Sequence, residues 1–171
     1  FLGVGNFSKV LTYVGRINKD KGIDDLLFVF KKISNKSKNI GLLLVGNLEM
    51  NLDELIKKNK LNKNKIIISK WIPDIHKAYW ASDIFLFPSY REGFGNVCIE
   101  SILCGVPVIS YDVIGSRESV KNNVSGFLVP FKNKNEMIIK TKFLIKNDSF
   151  KTKISKKGIN WAKSNFDQKI I

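Results

Sequence analysis

Four charged side chains and a pair of glycines carry the chemistry legible in this sequence. Glu92 and Glu100 bracket the stretch Glu92-Gly93-Phe94-Gly95-Asn96-Val97-Cys98-Ile99-Glu100, and Arg16 and Lys21 follow a short β-rich run. Eight residues on one helix would separate the two carboxylates by about 12 Å. A carboxylate couple that works on a glycosidic bond needs about 5–10 Å. One carboxylate in a loop and one in a helix would instead grip two ends of a long ligand. A Glu that accepts from vicinal hydroxyls is a normal ribose holder. Arg16 and Lys21 lie between a strand end and a helix start, where free N–H groups and the helix dipole attract anions. A guanidinium and an ammonium added there suit a diphosphate, although Lys21 read alone is one surface cation among many. Gly93-Phe94-Gly95 lets backbone amides approach the same anion. It is neither a GxxxxGK loop nor a dinucleotide fingerprint, because Cys98 stands where a third glycine would be needed.

Alternating strands and helices must hold these residues. Strands are expected at 10–14, 40–45, 65–69, 84–87, 108–111 and 126–130, and helices around 23–33, 52–60, 75–80, after Gly95, 135–146 and 150–164. Ile23, Leu26, Leu27, Phe30 and Ile33 form one apolar stripe. The run at 40–45 is apolar on both faces, as a strand covered on both sides requires. The fold class is therefore α/β, a doubly wound parallel sheet. Ligands of such sheets sit beyond the carboxyl ends of the strands. That edge is expected to carry Arg16, Lys21, Gly46, Trp71, Glu92, Gly93, Gly95 and Gly115. Residues 1–9 read as a linker or arm and 34–39 as a polar break.

The chain has 171 residues and a formal net charge of +14, from 26 Lys and three Arg against 15 Asp and Glu. The lysines are spread along the chain among many Asn and Ile, which reads as compositional bias. They lack the aromatic and Arg interleaving of single-strand binders, so nucleic acid is not expected as a partner. A basic surface does favour the anionic face of a membrane. No run of about 18 apolar residues occurs. Cys98 and Cys104 are six apart, do not form a CxxC pair, and read as small core residues of a reducing, cytoplasmic protein. His76, the only histidine, reads as a surface residue. No cysteine–histidine cluster or DxD pattern marks a metal site.

Tyr13-Val14-Gly15-Arg16, Lys21-Gly22, Pro88-Ser89, Glu92-Gly93-Phe94-Gly95 with Glu100, Gly105-Val106-Pro107-Val108 and Gly126-Phe127-Leu128-Val129-Pro130 occur in that order. Together they resemble the carboxyl-terminal half of family 4 retaining glycosyltransferases of the GT-B fold. The resemblance implies that residues 10–171 form a nucleotide-sugar domain whose amino-terminal acceptor domain lies outside this chain. Arg16 and Lys21 would then neutralise the donor diphosphate, Glu92 would orient the donor sugar, and Glu100 would hold the ribose. Amides of Phe94, Gly95 and Asn96 would face phosphate or sugar, Trp71 and Ile72 the base, and Gly15 and Gly46 would keep strand ends open. The donor would be UDP-linked, with no cofactor or metal, and the acceptor a glycan or a lipid-linked glycan. Three positions depart from the pattern: Ser116 stands for a glycine, Ser101 for an alanine, and Asn47 follows Gly46. A nucleotide-sugar epimerase of the same fold and a basic anion- or membrane-binding domain are the competing readings.

Overall fold

The structure, a computed structural model, describes residues 2–35 and 39–166. Six strands form one parallel sheet: β1 (Lys9–Val14), β2 (Ile40–Val45), β3 (Ile66–Ser69), β4 (Ile84–Phe87), β5 (Val108–Tyr111) and β6 (Gly126–Val129). Their order is β3-β2-β1-β4-β5-β6. Seven α-helices connect and cover them among the described residues: α1 (Ile23–Ser34), α2 (Leu52–Lys58), α3 (His76–Trp80), α4 (Asn96–Leu103), α5 (Ile114–Ser119), α6 (Lys134–Lys146) and α7 (Asp148–Asn165). The right-handed crossover rule puts α1 and α2 on one face and α4 and α5 on the other. Of the last two helices, α6 packs against α1 and α7 against α4.

Burial explains the apolar runs. Every residue of β2, β4 and β5 is buried, while the edge strands β3 and β6 each expose part of theirs. Tyr13 stacks on Phe87 with centroids 6.1 Å apart, Phe87 on Phe85 at 5.8 Å, and Tyr79 meets Phe85 edge-on at 5.7 Å. These rings join β1, β4 and α3 into one core, the type of aromatic packing that adds to simple area burial.

Several boundaries differ from the sequence reading. Lys9 belongs to β1, not to an arm, because it pairs in register with Ile40 of β2. The residues before it are not a free linker: Phe7 lies over Gly41, where a Cβ would fall 2.4 Å from the ring. Lys65 sits in a 3-10 turn that precedes β3, and Pro130 follows β6 rather than ending it. The polar break at 34–39 splits: Ser34 ends α1, and residues 36–38 lie outside the described residues, as do Phe1 and 167–171 of the expected domain.

Cys98 is fully buried and Cys104 half-buried, and neither forms a disulfide. Burial, and then Glu100 nearby, pushes the Cys104 thiol up to about 11 from its ordinary 9.0; burial also raises Cys98. A raised thiol keeps its proton in the folded state after the unfolded chain has lost it. Its contribution to stability is whole below pH 9 and is lost as pH climbs toward 11. The buried phenols of Tyr13, Tyr79 and Tyr111 shift the same way, mainly through burial. Urea midpoints are therefore expected to fall between pH 8 and pH 10.5, and iodoacetamide to label neither cysteine at pH 7.5 until the chain unfolds. A midpoint that holds or rises over that pH range contradicts this account.

Candidate functional site

The strand order reverses between β1 and β4, which makes that gap the switch point of the sheet. The loop after β1 carries Gly15, Arg16 and Lys21, and the loop after β4 carries Glu92, Gly93 and Gly95. They meet there. The Tyr90 N–H donates to the Asp20 carbonyl at 2.9 Å. The Lys21 ammonium donates to Glu92 Oε2 at 2.7 Å and to the Arg91 carbonyl at 3.4 Å. Both side chains of the Lys21–Glu92 pair are largely buried, at 15% and 17% exposed. Gly22 makes the approach possible: a Cβ there would stand 2.0 Å from the Pro88 carbonyl oxygen, and its φ is +68°.

Two helices start at this point, and neither has a side-chain cap. Gly22 precedes α1 and Gly95 precedes α4, both in the left-handed region. Helix α1 carries Asp24 and Asp25 in its first turn, which oppose an anion. No acidic residue lies in the first turn of α4, so its amides keep their full attraction for an anion. Gly15, Lys21, Glu92, Phe94, Gly95 and Asn96 line one cleft of about 200 Å³. Six of the expected site residues are thus brought together. Gly93 does not line it; it is exposed, and an added Cβ there would meet nothing within 4 Å.

The others lie outside that cleft. Arg16 is 62% exposed and pairs with Glu49 at 3.5 Å, because the Ile17 and Glu49 backbones zip the first loop to the loop after β2. Gly46 follows β2 and lies against Gly15, where a Cβ would meet the Gly15 carbonyl oxygen at 2.0 Å. Trp71 is exposed and Ile72 half-buried beyond the edge strand β3. Three strand spacings, roughly 14 Å, separate β3 from β4. Glu100 lies on α4, and its Oε2 accepts from the buried Tyr79 hydroxyl at 2.9 Å. Ser116 does not face the cleft: it is buried, and its hydroxyl lies 2.9 Å from that of Ser110. His76 is half-exposed beside Asp74. Among the described residues, no group of three His, Cys, Asp or Glu could hold a metal ion.

The sequence reading missed the partners of this site. In sequence, Tyr79 is an unremarked position of the short helix expected at 75–80. Asp25 was one polar residue inside a helix, yet it is buried and accepts from the hydroxyls of Tyr90 and Tyr111, each at 2.9 Å. Lys134 of α6 lies 3.1 Å from its other oxygen. This network ties α1 and α6 to the loop after β4 and to the end of β5. The only local signal was a tyrosine near the carboxyl end of each of two strands: Tyr90 three residues after β4, and Tyr111 as the last residue of β5.

Fold and site together define a Rossmann-like α/β domain with its polar loops gathered at the switch point of the sheet. The chain belongs to the glycosyl transferases group 1 family, whose model matches residues 4–161. It is 36% identical over 168 residues to the capsular polysaccharide biosynthesis glycosyltransferase CapM of Staphylococcus aureus, covering 97% of this chain and 44% of that protein. The crystal structure of HepE of Anabaena in complex with UDP superposes with a TM-score of 0.87 at 25% identity, over 97% of this chain and 46% of that one. A crystal structure of the C-terminal domain of the group 1 family protein LpcC of Francisella tularensis matches with a TM-score of 0.84 at 23% identity, over 95% of this chain and 88% of that one. The chain thus spans less than half the length of CapM and HepE.

Proposed function

We propose that this chain is the carboxyl-terminal, donor-binding domain of a retaining, family 4 glycosyltransferase of the GT-B fold. The full enzyme moves a sugar from a UDP-linked donor to a polysaccharide or lipid-linked acceptor. The observation that carries this reading is the Lys21–Glu92 pair, 2.7 Å apart at the switch point beside the uncapped start of α4. Lys21 and the α4 amides receive the diphosphate, and Arg16, free to swing from its exposed pairing with Glu49, adds a second cation. In this arrangement the protein's own cations, without a metal or cofactor, offset the charge of the leaving diphosphate. Glu92 orients the donor sugar, Glu100 the ribose, and the backbone at Trp71 and Ile72 the base. UDP in the HepE structure and the capsular role of CapM favour the donor and acceptor classes. The isolated LpcC domain favours the carboxyl-terminal placement and a domain that folds alone. No helix among the described residues is long and apolar enough to cross a membrane. The charge of +14 suits work on the cytoplasmic side, in peripheral contact with the anionic membrane face.

A cleft of about 200 Å³ is smaller than the 300–1,000 Å³ usual for a ligand site. The opposing domain must supply the remaining wall, so this chain alone binds weakly and transfers almost no sugar. Calorimetry with UDP, GDP and ADP tests the reading. UDP is expected to give saturable heat and to bind more tightly than the other two. Folded protein that gives no heat with any of them refutes the donor site.

A further inference from the structure

A second cleft, of about 390 Å³, opens on the other side of Glu92. It is built from the loops after β4, β5 and β6 together with α5, and it shares Glu92 with the smaller cleft. Tyr90 and Phe131 line it, edge to face with ring centroids 5.8 Å apart. Ile114 is 72% exposed and Phe131 50%, so large apolar side chains stand open to solvent here. Two of the chain's three arginines, Arg91 and Arg117, line this same cleft, although the chain's other cations are 26 lysines spread along its length. A third cation, Lys132, sits 4.8 Å from the Tyr90 ring centroid and 5.3 Å from that of Phe131.

The carboxylates of the cleft are already engaged. Asp112 pairs with Arg117, and Glu92 with Lys21. Arg91 makes no ion pair among the described residues. Cationic charge is therefore in excess beside an aromatic wall. Ring faces offer apolar area to the C–H face of a sugar, and guanidinium forks match carboxylate or phosphate oxygens. The volume lies within the range of small-ligand clefts.

We propose that this cleft binds an anionic pyranose, a sugar ring bearing a carboxylate or a phosphate, as part of the acceptor and directly beside Glu92. The acceptor role rests on the donor-site reading above; the binding site itself does not. The test is a titration of this chain, with and without saturating UDP, using glucuronic acid, glucose 6-phosphate and glucose. At least one anionic sugar is expected to bind about tenfold more tightly than glucose, and the better of the two identifies the acidic group. Arg91→Ala with Arg117→Ala should remove that preference. Phe131→Ala should weaken all three sugars, and UDP affinity should change less than twofold in every variant. Both arginines are exposed, and a thermal melt checks that the variants fold. Equal binding of glucose and the anions, or an anionic preference that survives loss of both arginines, overturns the proposal. So does competition between glucose 6-phosphate and UDP, which would place the sugar phosphate in the smaller cleft. UDP heat without sugar binding overturns this proposal and leaves the donor site standing; anionic-sugar binding without UDP heat keeps the binding site and overturns its role as an acceptor site.

Discussion

Glu100→Ala is expected to weaken UDP binding by more than a hundredfold, to below detection for a site that already binds weakly. The carboxylate sits on α4, one turn into the helix whose start would receive the diphosphate, and the buried Tyr79 hydroxyl holds one of its oxygens at 2.9 Å. A hydrogen bond to a charged group contributes about 1.5–3 kcal/mol, and two vicinal ribose hydroxyls would each make one. Since about 1.4 kcal/mol is a factor of ten, their joint loss exceeds two decades. Tyr79→Phe should cost less, about tenfold, because it frees the carboxylate to turn without removing it. The discriminating ligand is 2′-deoxy-UDP. If Glu100 holds the ribose, the substitution should hurt deoxy-UDP less than UDP, because one partner is already gone. Equal losses for the two ligands, or wild-type affinity for UDP in Glu100→Ala, would remove Glu100 from the ribose. A thermal melt accompanies the titration, since the Tyr79 hydroxyl is left buried without its acceptor.

Gly22→Ala is expected to destabilise the chain strongly, because the nearest atoms that crowd the position are backbone. Its φ of +68° is left-handed, which costs a residue with a Cβ about 1–2 kcal/mol. The added carbon would also lie 2.0 Å from the Pro88 carbonyl oxygen, and backbone on both sides leaves no flexible side chain to yield. Overpacking of that kind costs about 1–3 kcal/mol more. A total of about 2–5 kcal/mol lowers Tm by roughly 5–15 °C in a chain of this size. The strain falls between the two loops that must meet, so the Lys21–Glu92 contact should loosen and UDP affinity fall with it. Gly93→Ala is the control, because nothing lies within 4 Å of that position and its φ is not left-handed. A Gly22→Ala melt within a degree of wild type would show that the two loops are not locked as the structure has them.

These two positions mark how far local sequence reaches. The residue types of the site, the glycines between them and the parallel α/β class follow from spacing, periodicity and fully apolar runs such as residues 40–45. Those signals are local, and they hold wherever the chain is placed. They also settle that the polar loops gather at one edge, since every strand of such a sheet points the same way. Which loops become neighbours is a different matter. The order β3-β2-β1-β4-β5-β6 depends on the direction in which each crossover turns, and only the packed helices decide that. That order brings Lys21 to Glu92, 71 residues away, and leaves Trp71 at the far edge. Tertiary packing likewise gave Arg16 a partner in Glu49, Glu100 one in Tyr79, and Asp25 three partners from three other elements. A buried carboxylate has to find hydrogen-bond partners wherever the fold brings them. Its spacing along the chain shows that it needs them, and only the folded arrangement decides which side chains they are.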